Sequence, residues 1–245
     1  LAEYAPVTLR ADLSFLTPRE QQLVAKLIEA GKLVDEVFWR QTSPDAIAVR
    51  DSLSNASGDE AETLLKYVRI NYGPYNRIYE GRRFTGGGPA SKPDAASSYP
   101  EDMSKEEFDA FIAANPAMKE ALEGQYTVVH REGKGFKAVP FHQSYPEVPK
   151  IAALLDEAAA LADNPSLKKY LALRAKALRN DEYFDSDMAW MDLDGNTVDV
   201  VIGPIENYED ALYNYKTAYE CAVVVKDPAG TRELQMFKKH IDAFE

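Results

Sequence analysis

At 245 residues with 45% hydrophobic content, the chain is long enough to bury a sizeable core, as one large domain or two small ones. Its 40 Asp and Glu against 28 Lys and Arg leave a net charge of −12, which argues against a nucleic-acid partner because phosphate binding needs clustered cations. No apolar run approaches the ~18 residues of a membrane span, and a single cysteine, Cys221, excludes an intrachain disulfide.

Thr17-Pro18-Arg19-Glu20 supplies an N-cap, a proline at the first helical position and a capping Glu. Leu23, Leu27, Val34, Val37 and Phe38 then recur at helical spacing up to Trp39, with Gly31 as the weak point. Leu64, Leu65, Val68 and Tyr72 continue the pattern in a second helix that stops at Gly73-Pro74. The following stretch, EGRRFTGGGPASKPDAASS, has no periodicity and reads as a mobile loop bordering a cleft. It lacks the strand, helix and Lys-Ser/Thr pair of a phosphate cradle, and a small anion contact by Arg82 and Arg83 is the alternative use for it.

Ser104-Lys105-Glu106-Glu107 opens a helix carrying Phe108, Phe111 and Ile112, and Asn115-Pro116 caps a further short one. Segments 126–130 and 136–141 flank Gly133-Lys134-Gly135 and predict a hairpin. Ile151 to Leu161 and Leu167 to Leu178 form a helical pair, the second capped by Asn164-Pro165. Met188–Asp192 and Thr197–Ile202 flank Asp194-Gly195-Asn196, which predicts another hairpin. The acids Asp185, Asp187, Asp192 and Asp194 lack the spacing of a calcium loop. A strand near Cys221 to Val225 follows, with Cys221 as a small core residue. The last segment, 228–245, predicts a helix striped by Leu234, Phe237, Ile241 and Phe244. The architecture expected is α+β: a helix-rich lobe over residues 1–245 with antiparallel hairpins and possible sub-units 1–146 and 147–245.

The stretch from Thr197 to Asp227 carries the candidate site. The apolar β-branched run 198–202 must end at Gly203-Pro204, which presents Glu206 and Tyr208 at an edge. A carboxylate there can receive a cationic group, and a phenol beside it can donate to an oxygen gaining negative charge. A solvated acidic turn is the plainer reading of the same residues.

Gly203 to Asp210 (GPIENYED), with Tyr215-Lys216 and Tyr219-Glu220, resembles the substrate-edge segment of the dipeptidyl peptidase III family, zinc aminopeptidases that remove dipeptides. Four further blocks agree in the order seen in bacterial members: Ala11 to Gln41 (ADLSFL…LVDEVFWRQ), Ile70 to Ile78 (INYGPYNRI), Tyr99 to Pro116 (YPEDMSKEEFDAFIAANP) and Tyr183 to Leu193 (YFDSDMAWMDL). The resemblance implies one lobe with a small barrel-like sheet, facing a zinc-bearing lobe across a wide cleft. It implies that Ile205, Glu206 and Tyr208 line that cleft, Glu206 pairing with the peptide's α-amine and Tyr208 helping to hold the oxyanion. Glu220 is implied as a second acid near the amine, across a one-residue difference in length from the family pattern. Tyr213-Asn214-Tyr215 replaces a more compact Gly-containing stretch, which alters the pocket's shape.

The family holds zinc through a His-Glu-x-x-Gly-His helix and a later Glu, leaving one position open for an activated water. His130, His142 and His240 lack the necessary spacing, so the expectation is zinc in the full-length protein and none bound by this chain. His130 and His142 read instead as partly exposed residues of paired strands. The expected whole is a peptidase acting on peptide substrates, of which this chain is the N-terminal, substrate-recognition piece, inactive without a missing C-terminal zinc lobe. The alternatives are a stand-alone, noncatalytic peptide-binding domain, and a metal-free hydrolase using Glu206 and Glu220 as paired carboxylates. The start at Leu1 rather than Met leaves cytoplasm and periplasm equally open.

Overall fold

The computed structural model describes residues 1–243, so Phe244 of the expected terminal stripe lies outside the described residues. The chain is built on one long helix, α1 (Pro18–Thr42). Thr17 Oγ1 accepts from the Glu20 amide at 3.2 Å and a Glu20 carboxylate oxygen accepts from the Thr17 amide at 2.8 Å, closing the capping box in both directions. The buried face of α1, Leu23, Leu27, Ala30, Val34 and Val37, joins the main core. Each such Leu or Val removed from water contributes roughly 1.5–3 kcal/mol.

Two layers cover α1. On one side lies α7 (Val148–Leu161), backed by α8 (Pro165–Asn180). On the other lies the antiparallel ladder of β5 (Val198–Glu206) and β6 (Ala218–Val225). Val198, Val200 and Ile202 alternate into the same core as Ile151, Leu155, Leu171 and Leu178. This core therefore takes residues from both 1–146 and 147–245. Gly31 lets β6 come close, because a Cβ there would lie 3.1 Å from Cys221 Sγ.

Past the end of α1, α2 (Ala46–Ser54) and α3 (Asp59–Asn71) enclose Trp39, Ala46 and Val68. α2 has little sequence signature, since its nine residues hold two serines and bury little beyond Ala46. α3 ends one residue before expectation: Tyr72 is its C-cap, in the left-handed region at φ 53°. The Gly-rich loop is pinned at its base by the short ladder β1 (Tyr75–Asn76) with β2 (Arg82–Arg83). Its glycines wrap Arg83, which donates to Asp45 (2.6 Å), the Tyr75 hydroxyl (2.6 Å) and the carbonyls of Thr85 and Pro89. A Cβ on Gly88 would fall 2.6 Å from that guanidinium. Arg83 thus organises its own loop.

A second core gathers Tyr99, Phe108, Ile112, Leu122, Val129 and Phe136 between α4 (Lys105–Ala114), α5 (Lys119–Glu123) and the hairpin β3 (Thr127–Glu132) with β4 (Gly135–Pro140). Ser104 caps α4, whereas Asn115 closes α4 with its amide on the Phe111 carbonyl and makes no N-cap bond to the 3₁₀ turn Pro116–Met118. The hairpin turns at Gly133, φ 61°, as the sequence predicts.

Two expectations are corrected. Residues 188–191 are not a strand: α9 (Phe184–Met191) opens with Asp185 and Asp187 in its first turn, where acids oppose the helix dipole, and with the Ser186 hydroxyl donating to the Tyr183 carbonyl. The Asp194-Gly195 turn carries the chain from α9 into β5, whose partner is β6 after a long excursion. His142 is not in a strand but in the short helix α6 (Phe141–Ser144), with Nδ1 2.8 Å from Asp181. The terminal α10 (Pro228–Lys238) is capped by Asp227 and leaves Leu234 and Phe237 exposed. Helices dominate, and the strands form three two-stranded antiparallel ladders among the described residues, in keeping with the α+β assignment. No helix among those residues is long and apolar enough to cross a membrane.

Candidate functional site

The strand does not end at Gly203-Pro204 as expected: both residues stay paired, to Glu220 and Tyr219, and the site begins where β5 loses its register just beyond them. Gly203, at φ 130°, passes so close to α8 that a Cβ would lie 3.2 Å from the Arg174 guanidinium. Pro204 pairs with Tyr219 and Glu206 with Ala218, leaving Ile205 as the extra residue of a bulge. A bulge re-aims side chains and breaks strict alternation. Ile205 and Glu206 are accordingly both exposed, although they are consecutive.

Beyond the bulge, 207–217 is a folded excursion tied at several points. Asn207 donates across its neck to the Asn214 carbonyl at 2.8 Å. Asp210 is buried at its centre and accepts from the amides of Leu212, Tyr213, Tyr215 and Lys216 and from the Tyr99 hydroxyl at 3.0 Å. Lys216 is buried beside it and donates to the carbonyls of Leu122 (2.6 Å) and Gly124 (2.7 Å) and to Thr127 Oγ1 (2.8 Å). Burial pulls its amine down to about 7. Glu209, largely covered, pairs with Arg77 at 2.6 Å and with Lys92. Burial opposes that charge, yet the two cations more than offset it and hold the carboxyl below the usual glutamate range.

Against this frame Tyr208 stands 79% exposed. It borders a hollow of about 340 Å³ shared with Tyr72, Arg77, Lys92 and Glu209. Glu220, opposite Gly203 in the ladder, lines a second hollow of about 320 Å³ with Asp35, Phe38, Tyr72 and Cys221. Tyr72 is the wall common to both. Its hydroxyl donates to Asp35 Oδ1 at 2.6 Å, and burial followed by that carboxylate pushes its pKa up to about 12. Burial, then the charges of Glu206 and Glu209, raises the Glu220 carboxyl above its ordinary range. Glu206 and Glu220 therefore sit in one negative field, whereas the charge of Glu209 is balanced by its two cations.

Ile205 turns elsewhere. It lines a third hollow, about 490 Å³, with Tyr126, Trp190, Met191 and Arg174. The fold thus brings Glu206 and Glu220 together, sets Tyr208 in the adjoining hollow, and separates Ile205 from both. Asp35, Tyr72 and Glu209 belong to the same surface and escaped the sequence reading. Asp35 lies on a helix whose periodicity draws attention to its core, Tyr72 read as one more apolar helical residue, and Glu209 finds its partners more than 100 residues away.

No group of three or more His, Cys, Asp and Glu capable of holding a metal ion occurs among the described residues. Cys221 is pushed up to about 11 by burial, which leaves it a poor nucleophile at neutral pH.

The fold is shared along its entire length with solved dipeptidyl peptidases. The structure of dipeptidyl peptidase III from Caldithrix abyssi matches with a TM-score of 0.94 and 39% identity over 100% of this chain and 46% of that one. That of dipeptidyl-peptidase III from Corallococcus sp. strain EGB matches with a TM-score of 0.91 and 34% identity, again over 100% and 46%. Among curated proteins, Nudix hydrolase 3 of Arabidopsis thaliana is 28% identical over 296 aligned residues, spanning 100% of this chain and 38% of that protein. No protein-family model matches the chain. The chain is a helix-rich lobe of mixed α+β build. Along its whole length it is similar to these bacterial dipeptidyl peptidases III, as the sequence resemblance implied, and it spans less than half the length of each of these relatives.

Proposed function

We propose that this lobe recognises the free amino end of a peptide for a hydrolase that releases dipeptides. Glu206 pairs with the α-amine, Glu220 adds to the field that draws it in, and Tyr208 donates to the carbonyl oxygen of the bond to be cut. The supporting observation is the bulge after Pro204, which turns Glu206 outward into the field it shares with Glu220. A charge-assisted hydrogen bond there is worth roughly 1.5–3 kcal/mol, enough to favour a free over a blocked terminus by one to two orders of magnitude.

The zinc that the family resemblance implies has no ligand set among the described residues. Its place would be in another part of the whole protein. What these side chains do is bind an ammonium, fix the peptide's register by that contact, and supply a hydrogen-bond donor to an oxygen.

The test is Glu206→Gln in the full-length gene product. The change keeps the shape and removes the charge, so affinity for a free-amine tetrapeptide should fall by about 10- to 100-fold while affinity for its N-acetylated form stays unchanged. Equal loss for both peptides, or none for the free one, sinks the assignment of Glu206.

A further inference from the structure

We propose that Glu209 is a positioning residue for Tyr208, its ion pairs with Arg77 and Lys92 setting where the phenol stands over the bound peptide; this rests on the reading of Tyr208 given above.

Tyr208 reaches into solvent with most of its side chain exposed, so its own packing cannot hold it in one place. An exposed ring regains rotamer and loop freedom unless the backbone beneath is fixed. That backbone is held on both sides. Before it, Asn207 bridges to the Asn214 carbonyl. After it, Glu209 turns inward, its side chain only 13% exposed, and divides its two oxygens between Arg77 and Lys92.

Each cation is anchored in turn. The Arg77 amide donates to Asn71 Oδ1 and its Nε to the Asn71 carbonyl, both at 2.9 Å, at the C-terminal end of α3. Its guanidinium also lies 5.4 Å from the Phe38 ring centroid on α1. Lys92 is fixed through its amide, which donates to the Gly81 carbonyl at 2.8 Å. Glu209 thus ties the turn carrying Tyr208 to α3 and to the end of the Gly-rich loop. Asp210 already satisfies the excursion's internal amides, so Glu209 is not needed to fold the turn; it sets the turn's place against the rest of the lobe.

A 1 Å displacement of a group acting at the transition state can cost about 100-fold in rate. Substrate binding through Glu206, on the far side of Asn207, should change far less. Glu209→Gln removes the charge and leaves Arg77 and Lys92 unmatched. The experiment is a cycle of four full-length proteins, parent, Glu209→Gln, Tyr208→Phe and the double variant, assayed for dipeptide release from a free-amine tetrapeptide. Glu209→Gln should lower kcat about tenfold with KM nearly unchanged, and should cost less than about twofold once Tyr208 is already Phe. Lys92→Met, which cuts one arm and leaves Glu209 in place, provides the same readout should Glu209→Gln fail to fold. If Tyr208→Phe lowers kcat but Glu209→Gln costs the same in both backgrounds, the positioning role is wrong and the Tyr208 assignment stands. If Tyr208→Phe leaves kcat unchanged, both fall together.

Discussion

Gly31 of α1 and Cys221 of β6 face each other at close quarters: a Cβ on Gly31 would lie 3.1 Å from Sγ and 3.8 Å from Cβ of Cys221, tight enough that the sulfur must give by a few tenths of an ångström. Helix propensity alone favours alanine over a mid-helix glycine by about 1 kcal/mol. The contact opposes that gain. Gly31→Ala should therefore leave stability almost unchanged in the parent and raise it by about 1 kcal/mol when Cys221 is also Ala. Gly31→Val, which cannot be relieved by a small shift of sulfur, should cost about 1–3 kcal/mol. Urea titrations of the set measure this; additivity across the cycle would show that the two residues do not touch.

The acidic field around Glu206 makes a pH-dependent prediction. Burial and the neighbouring charges of Glu206 and Glu209 raise Glu220 above the ordinary value of 4.5. Between that value and its raised one, the folded protein keeps a proton that the unfolded chain has released, so this group's contribution to stability falls as pH rises through the window. Glu220→Gln should accordingly raise Tm at about pH 7, and the gain should shrink toward zero at about pH 3, where the glutamate is protonated in both states. A gain of equal size at both pH values points to packing rather than charge.

Asn164 ties the start of α8 to the turn that leads into β5. Its Oδ1 accepts from the Leu167 amide at 2.9 Å as the cap of α8, and its Nδ2 donates to the Asp194 carbonyl at 2.9 Å in the turn before β5. Asn164→Asp keeps the acceptor and loses the donor, whereas Asn164→Ala loses both. The expected costs are about 1 and about 2 kcal/mol. Chemical denaturation with an unchanged m-value is the check, and equal costs for the two variants would remove the link to Asp194 from this account.

That same link explains one failure of sequence reading. Asp194-Gly195 has the composition of a hairpin turn, but its carbonyl is engaged by Asn164 and Ser166, and the chain enters it from a helix. Local rules succeeded where the structure is local: Thr17, Ser104 and Asn164 cap helices, and Gly133 turns a hairpin. They could not show that β5 waits for β6 until after the excursion 207–217. Nor could they show that Asp210 is buried under Tyr99, or that Lys216 satisfies carbonyls near residue 123, since these partners lie roughly 90 to 110 residues away. Glu206 and Tyr208 were legible as neighbours of an edge, but for a reason that fails: Gly203-Pro204 does not end the strand, and Glu206 is still paired in the ladder beyond a bulge. Asp35 and Tyr72 became visible only when α1 and the end of α3 were brought against β6.

The central claim, that the lobe reads a free amine through Glu206, is tested most directly by dipeptide release from one tetrapeptide in free and N-acetylated form, using the full-length gene product. Intact dipeptides should be released from the free form, with at least a tenfold lower kcat/KM for the acetylated one. Equal turnover of the two forms would contradict it.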